Sequence, residues 1–268
     1  AKYDAGCATG ILNAPDPAYD SESDELLPVR YGAEDHQTGK AACKRAFQEE
    51  LGLDVNPDAA IMFWPSRLDP VQKGPQLLTD ILYQVVSDHW NQPLQVAVVA
   101  NGPHQQHFHQ IVSQFDLGSR VAVVDFDERL SHLGYAASDF MIMPSLFEPC
   151  GLPQMISPIY GTLPIVHGTG GLFDTISHLS LENNTGNGFR FDVYGTEGLR
   201  WAIDRAVEFH RLPADVKSSH ISRIMRESRV NFSHTESARR YIEIYETMLQ
   251  RPLVTRDHGP GKVEASLS

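Results

Sequence analysis

From about residue 60 to residue 191 the chain alternates short apolar runs with longer amphipathic stretches. The runs are AIMFWP (60–65), LQVAVVA (94–100), VAVVD (121–125), FMIMP (140–144), LPIVH (163–167) and FRF (189–191). Continuous apolar runs of this length suit strands covered on both faces, as in a parallel sheet. The stretches between them predict helices near 74–88, 103–115, 128–137, 152–160 and 171–177. Three more are predicted near 196–210, 214–229 and 234–249. One precedes the first run, GKAACKRAFQEELGL from about residue 38, with Ala42, Phe47 and Leu51 near one face and Gly52 as its C-cap. Strand, helix, strand repeated in this way predicts an α/β fold: a Rossmann-like parallel sheet with helices on both faces.

The flanks read differently. Residues 1–37 are rich in Pro, Asp, Ser and Gly and predict an irregular opening segment or linker, with Asp16, Asp20, Glu22, Asp24 and Glu25 solvated. Residues 38–250 form the domain, and 251–268 a flexible tail. The chain opens AKYDAGCATG without a Met and is expected to be a piece of something longer. No charged-then-apolar signal region and no run of about 18 apolar residues is present, so no membrane partner is expected.

Composition narrows the ligand class. Hydrophobic residues make up 41% and charged residues 21%, enough for a sizeable core, and the formal net charge is -12. An acidic chain repels a phosphate backbone, so nucleic acid is not expected as a partner. Any anionic ligand must be held by a local cluster of cations. Cys7, Cys43 and Cys150 form no CxxC pair, which favours a reducing interior.

In a doubly wound sheet, ligands sit beyond the C-terminal strand ends. That rule singles out the loops at 65–74, 100–104, 125–129, 144–152 and 167–172. The first holds Arg67 and Lys73, which can converge on a diphosphate, the guanidinium as a fork and the ammonium as a point charge. Gly74 then opens a helix whose first amides favour an anion. The second is PSLFEPCGL, where Glu148 can accept from sugar hydroxyls and Gly151 lets a main chain approach a ligand. The third is GTGGLFDT, whose Thr169, Gly170 and Gly171 can cradle phosphate or sugar with main-chain groups. Each alone is also explained by an ordinary turn or a solvated helix start; three together at one sheet rim are not.

These residues resemble the bacterial glycogen synthase and plant-type starch synthase family. SRLDPVQKGPQLL, PSLFEPCGLPQM, YGTLPIVHGTGGLFDTI and the closing NFSHTESARRYIEIYETML are similar to that family's runs, and the likeness covers about residues 10–250. The resemblance implies the C-terminal half of a two-Rossmann-domain glycosyltransferase. Its substrates would be ADP-glucose or UDP-glucose and an α-1,4-glucan acceptor, with retention at the transferred carbon, no cofactor and no metal. The other partner would be an N-terminal domain, and the location cytoplasmic, or plastid if the chain is from a plant. Arg67 and Lys73 would neutralise the leaving diphosphate. Glu148 would lie by the donor glucose, and the amides of Cys150, Gly151 and Leu152 would face sugar or phosphate. Thr169, Gly170 and Gly171 would line the same pocket, with Thr175 more distant. Phe126 would either stack on the base or belong to the core.

Several positions depart from the family pattern. The spacing from Arg67 to Lys73 is one residue longer, Leu146 replaces an Arg, Pro153 a Thr and His234 a Trp, and Ala100-Asn101-Gly102 stands for a Gly-x-Gly turn. A sucrose- or trehalose-type transferase and a non-catalytic nucleotide-sugar or glucan-binding module therefore remain competing expectations. His104, His107 and His109 are not expected to hold a metal, since no carboxylate or cysteine completes the set. Cys150 has no base beside it to make it a nucleophile. Tyr241 and Tyr245, at helical i, i+4 spacing, are expected in core or interdomain packing.

Overall fold

Trp64 is followed by Pro65 and Met143 by Pro144, and proline cannot donate to a sheet ladder, so both runs must stop there. The computed structural model describes residues 8–91 and 93–253 and shows them stopping there. Its strands are β1 (Ala60–Trp64), β2 (Leu94–Val99), β3 (Val121–Val124), β4 (Phe140–Met143), β5 (Leu163–His167) and β6 (Phe189–Phe191). They form one sheet in the order β3-β2-β1-β4-β5-β6, and every pairing is parallel. The described helices are α1 (His36–Leu51), α2 (Pro75–Asp88), α3 (Gln105–Gln114), α4 (Glu128–Ala137), α5 (Pro153–Ile159), α6 (Gly170–Thr175), α7 (Thr196–His210), α8 (Ala214–Asn231) and α9 (His234–Leu249). Each lies within two residues or so of its predicted span. None is long and apolar enough to cross a membrane.

Strand side chains alternate between faces, so two cores form. Met62, Trp64, Val96, Val98, Phe140 and Ile142 pack on one side with α2, α3 and α7. Ile61, Phe63, Ala97, Val99, Met141 and Met143 pack on the other, beneath α1, α4 and α5. Helix ends follow local chemistry. Asp127 accepts from the Leu130 amide at 2.7 Å to start α4, and Pro75 and Pro153 occupy the first turns of α2 and α5. Gly52 ends α1 in the left-handed region at φ 68°.

Two expectations fail in α1 and the segment before it. The buried stripe of α1 is His36, Lys40, Cys43, Lys44 and Phe47; of the expected face, Phe47 is fully buried and Leu51 packs partly buried, while Ala42 stays outside the stripe. The lysines are inside because they serve main-chain acceptors. Lys40 Nζ donates to the carbonyls of Ala136, Ser138 and Tyr160 at 2.8–3.1 Å, satisfying the open ends of α4 and α5. The opening segment, in turn, is not uniformly solvated. Asp24 is buried, accepting from Tyr160 Oη at 2.6 Å and meeting His132 Nδ1 at 2.7 Å, with Tyr19 stacked on the His132 ring. A carboxylate can enter a core only with such partners, and composition does not announce them. Cys7 and the tail residues 254–268 lie outside the described residues.

Lys44 is paired with Asp139 at 2.8 Å, beneath the N-terminal ends of β1 and β4. Burial alone would raise the Asp139 carboxyl. Lys44, His210 and the Ile61 amide outweigh it and hold the group at about 2. A carboxylate depressed from 3.8 contributes stability above that pH and loses it as pH falls towards 2. Asp139→Asn is thus expected to lower urea-measured stability at pH 7 by about 2 kcal/mol. The gap from wild type should narrow below pH 4. A gap unchanged from pH 7 to pH 3 would contradict the assignment.

Candidate functional site

All six strands run the same way, so their C-terminal ends share one rim. The chain passes from β1 outward to β2 and β3, then returns to lay β4 on the other side of β1. The loops after β1 and β4 therefore part in opposite directions, leaving a crevice between them. These are the loops at 65–74 and 144–152.

The first loop is shaped by Asp69. Its side chain accepts from the Val71 amide at 2.9 Å, and its carbonyl accepts from the Lys73 amide at 2.8 Å. The turn leaves Lys73 facing Glu148. There its Nζ donates to Glu148 Oε2 at 2.5 Å, with the two side chains 11% and 7% exposed. Ser145 Oγ donates to the same carboxylate oxygen at 3.3 Å. Behind them, His167 Nδ1 meets the Ser145 carbonyl at 2.8 Å.

The neighbouring loops are locked to this pair by main-chain contacts. Leu146 N–H donates to the Gln72 carbonyl at 2.8 Å. Gly74 has φ 69°, and a Cβ on it would stand 2.4 Å from the Pro144 carbonyl oxygen. Only glycine tolerates both the angle and the approach. On the far side, Gly171 N–H donates to the Glu148 carbonyl at 2.8 Å, and a Cβ on Gly171 would fall 2.0 Å from the Cys150 carbonyl. The loop after β2 joins through Leu68 N–H to the Asn101 carbonyl at 2.9 Å. Phe126, after β3, donates its amide to Asn101 Oδ1 at 3.1 Å.

Arg67 and Phe126 share a separate hollow of about 700 Å³, completed by Asp69, Asn101, Gly102 and Pro103. Phe126 is 52% exposed there, so the core alternative for it is overturned. An open aromatic side chain and a guanidinium lining one hollow could take a planar base joined to phosphate. Lys73 and Glu148 do not line this hollow. The rim thus holds two adjoining parts, one with Arg67 and Phe126 and one with the Lys73–Glu148 pair.

The remaining candidates divide by what their polar groups do. Cys150, Gly151 and Leu152 precede α5, and among the described residues none of their amides donates to a protein acceptor. Thr169 is half-buried and Gly170 exposed at the start of α6, where Gly170 has φ 47°. Gly171 is buried with its amide already bonded to Glu148, so it joins two loops and has no free donor for a ligand. Thr175 is likewise turned inward: its hydroxyl donates to the Gly171 carbonyl at 2.6 Å. Tyr241 and Tyr245 are 48% and 50% exposed on α9, which has no buried residue, so the core reading of that pair is corrected. His104 and His107 stack at 4.3 Å, and His104 Nε2 lies 3.0 Å from the Thr79 hydroxyl.

Two supporting residues escaped the sequence reading. Gln154 is fully buried, and its Nε2 donates to the carbonyls of Cys150 at 2.9 Å and Gly151 at 3.1 Å, bracing the turn from below. The available signal was an amide directly after the motif on the first turn of α5. Ser145, also fully buried, stood three residues before Glu148 with nothing to set it apart from a turn residue.

A parallel α/β sheet with its order reversing beside β1, and with cations, a buried carboxylate and open main-chain amides at that rim, defines a domain of the doubly wound class. The chain belongs to the family Glycosyl transferases group 1, which it matches over residues 48–221. It is 35% identical to a glycogen synthase of Geobacillus thermodenitrificans over 253 residues, 93% of this chain and 50% of that one. It is 38% identical to a glycogen synthase of Exiguobacterium sibiricum, covering 88% of this chain and 47% of that one. Among solved structures, the catalytic domain of starch synthase IV from Arabidopsis thaliana, bound to ADP and acarbose, superposes with a TM-score of 0.79. That match has 30% identity and covers 93% of this chain and 51% of the other. Anabaena HepE in complex with UDP-glucose shares the fold, with a TM-score of 0.59 at 19% identity. The chain spans about half the length of the curated relatives it matches.

Proposed function

We propose that this chain is the donor-binding half of a retaining glucosyltransferase. The full enzyme moves glucose from ADP-glucose or UDP-glucose to the non-reducing end of an α-1,4-glucan in the cytoplasm. The observation that carries the reading is the Lys73–Glu148 pair at the sheet's reversal point, beside the hollow of Arg67 and Phe126. The likeness to glycogen synthases and to a starch synthase bound to ADP and acarbose supports it.

In this reading the base and ribose occupy the Arg67–Phe126 hollow, and the diphosphate lies over the 65–74 loop. As the glycosidic bond breaks, negative charge grows on the leaving phosphate. Arg67, Lys73 and the amides at 150–152 stabilise that charge without reorganising. The arriving phosphate competes with Glu148 for the Lys73 ammonium. Glu148, released from part of that pairing, accepts from the glucose hydroxyls or faces the cationic sugar carbon. A facing domain, of the size by which the relatives exceed this chain, brings the acceptor and excludes water. Neither a cofactor nor a metal takes part in this scheme. This chain by itself is expected to bind nucleotide without elongating glucan.

Calorimetry with ADP, ADP-glucose and UDP-glucose tests the reading. Arg67→Ala is expected to weaken binding about tenfold or more, the worth of one charge-assisted hydrogen bond. Undiminished affinity in that variant would remove Arg67 from the diphosphate site. Glucan elongation by the purified chain alone would refute the division of labour.

A further inference from the structure

Just outside the Glu148–Gly171 contact, Phe173 is 54% exposed on α6. A lone exposed aromatic needs no explanation by itself. This one is held. The Arg190 guanidinium carbon lies 4.5 Å from the Phe173 ring centroid. Arg190 is in turn fixed twice: Nε donates to Asp192 Oδ1 at 3.2 Å and Nη1 to the Ile176 carbonyl at 3.3 Å. Its aliphatic stem and Asp192 lie against the glycine-rich turn. A Cβ on Gly168 would be 2.6 Å from Asp192 Oδ1 and 3.2 Å from Arg190 Cδ. The Asp192 side chain remains 68% exposed. The ring, guanidinium and carboxylate therefore form a braced platform on the outer edge of the loop that carries Thr169 and Gly170.

That set of groups has a specific chemistry. Arg190 covers one face of the Phe173 ring, which is still 54% exposed, and a pyranose has a face of polarised C–H bonds that packs on an electron-rich aromatic face such as the opposite one. Its rim of vicinal hydroxyls takes paired polar groups, donors to a carboxylate and acceptors from a guanidinium. A phosphate would find Asp192 repulsive, and a purely apolar partner would leave the Arg190–Asp192 pair desolvated. We infer that Phe173, Arg190 and Asp192 form a glucan subsite that holds a pyranose ring of an α-1,4-glucan next to the donor site. The inference rests on the proposed function and places part of the acceptor path on this half of the enzyme.

The test uses this chain with glycogen in native affinity gels, maltoheptaose in calorimetry and ADP in parallel titrations. Phe173→Ala is expected to weaken retention by glycogen and maltoheptaose affinity by about tenfold, the upper worth of one aromatic stacking contact. ADP affinity should stay within about twofold, because the ring stands outside the nucleotide hollow. Phe173→Trp should restore glucan binding, and Asp192→Asn should weaken it with the ring intact. Wild-type chain that glycogen does not retain, or retention unchanged in Phe173→Ala while ADP still binds, overturns the subsite. Glucan binding that falls in Phe173→Ala in a chain binding neither ADP nor UDP would uphold the subsite and remove the proposed function instead.

Discussion

Lys73→Ala is expected to lower glucose transfer by the full enzyme about 10²–10³-fold, the usual cost of one preorganised group facing charge that develops in the transition state. The same change leaves Glu148, only 7% exposed, without its counter-ion. Breaking a buried pair from one side costs about 3 kcal/mol or more, because the remaining charge is neither solvated nor paired. The two effects can be separated. Glu148→Gln in the Lys73→Ala background removes the stranded charge and should recover most of the lost stability, measured by urea unfolding. It should recover none of the activity, since in the proposed function Lys73 acts on the phosphate and Glu148 on the sugar. Lys73→Arg should also remain poor. A broad planar fork cannot occupy the position of a compact ammonium tucked beside Ser145 and Glu148. Rates within tenfold of wild type in Lys73→Ala would show that the pair is structural only.

Gly171→Ala carries the second large effect. Its Cβ would fall 2.0 Å from the Cys150 carbonyl oxygen, a clash of backbone with backbone that no rotamer change relieves. The 148–152 loop has to move away, breaking the 2.8 Å bond from Gly171 N–H to the Glu148 carbonyl and turning the open amides of 150–152 from the crevice. Overpacking of this kind costs about 2–3 kcal/mol. Nucleotide affinity should fall by at least about tenfold if the amides contribute as much as one charged hydrogen bond. Gly52→Ala is the control. Gly52 has a left-handed φ of 68° but open space where the Cβ would go, and it lies at the end of α1. It should lose only about 1 kcal/mol and leave nucleotide binding alone. Equal effects on ADP affinity from both alanines would mean that glycine flexibility, not the close approach at Gly171, matters for binding.

Much of the architecture was legible before folding. Strands β1, β3 and β4 announce themselves as uninterrupted apolar runs, and β2, β5 and β6 as apolar runs broken by a single Gln, His or Arg, because a strand covered on both faces has little polar side to interrupt it. The caps at Asp127, Pro75, Pro153 and Gly52 are local chemistry, decided within four residues. The rule that ligands gather beyond strand C-termini selected five loops, and the structure ties them to one another at one rim. Legibility failed where polar groups go inside. Lys40, Lys44 and Asp24 look like surface charges in sequence, yet each has a buried or part-buried partner between 95 and 136 residues away. It failed again at Gly171 and Thr175, which the motif offers as ligand contacts and the fold uses to tie loops together.

The chain by itself therefore determined which segments are strands and helices, where they stop, and which residue types stand at the sheet's C-terminal rim. Those properties depend on neighbours within a turn or two. Only the tertiary structure decided that Lys73 meets Glu148 across 75 positions, that Arg67 keeps company with Phe126 in a separate hollow, and which glycine touches a carbonyl. The reason is the strand order. Placing β4 beside β1, after β2 and β3 have gone the other way, brings distant loops together, and no local pattern of apolar and polar residues encodes that adjacency.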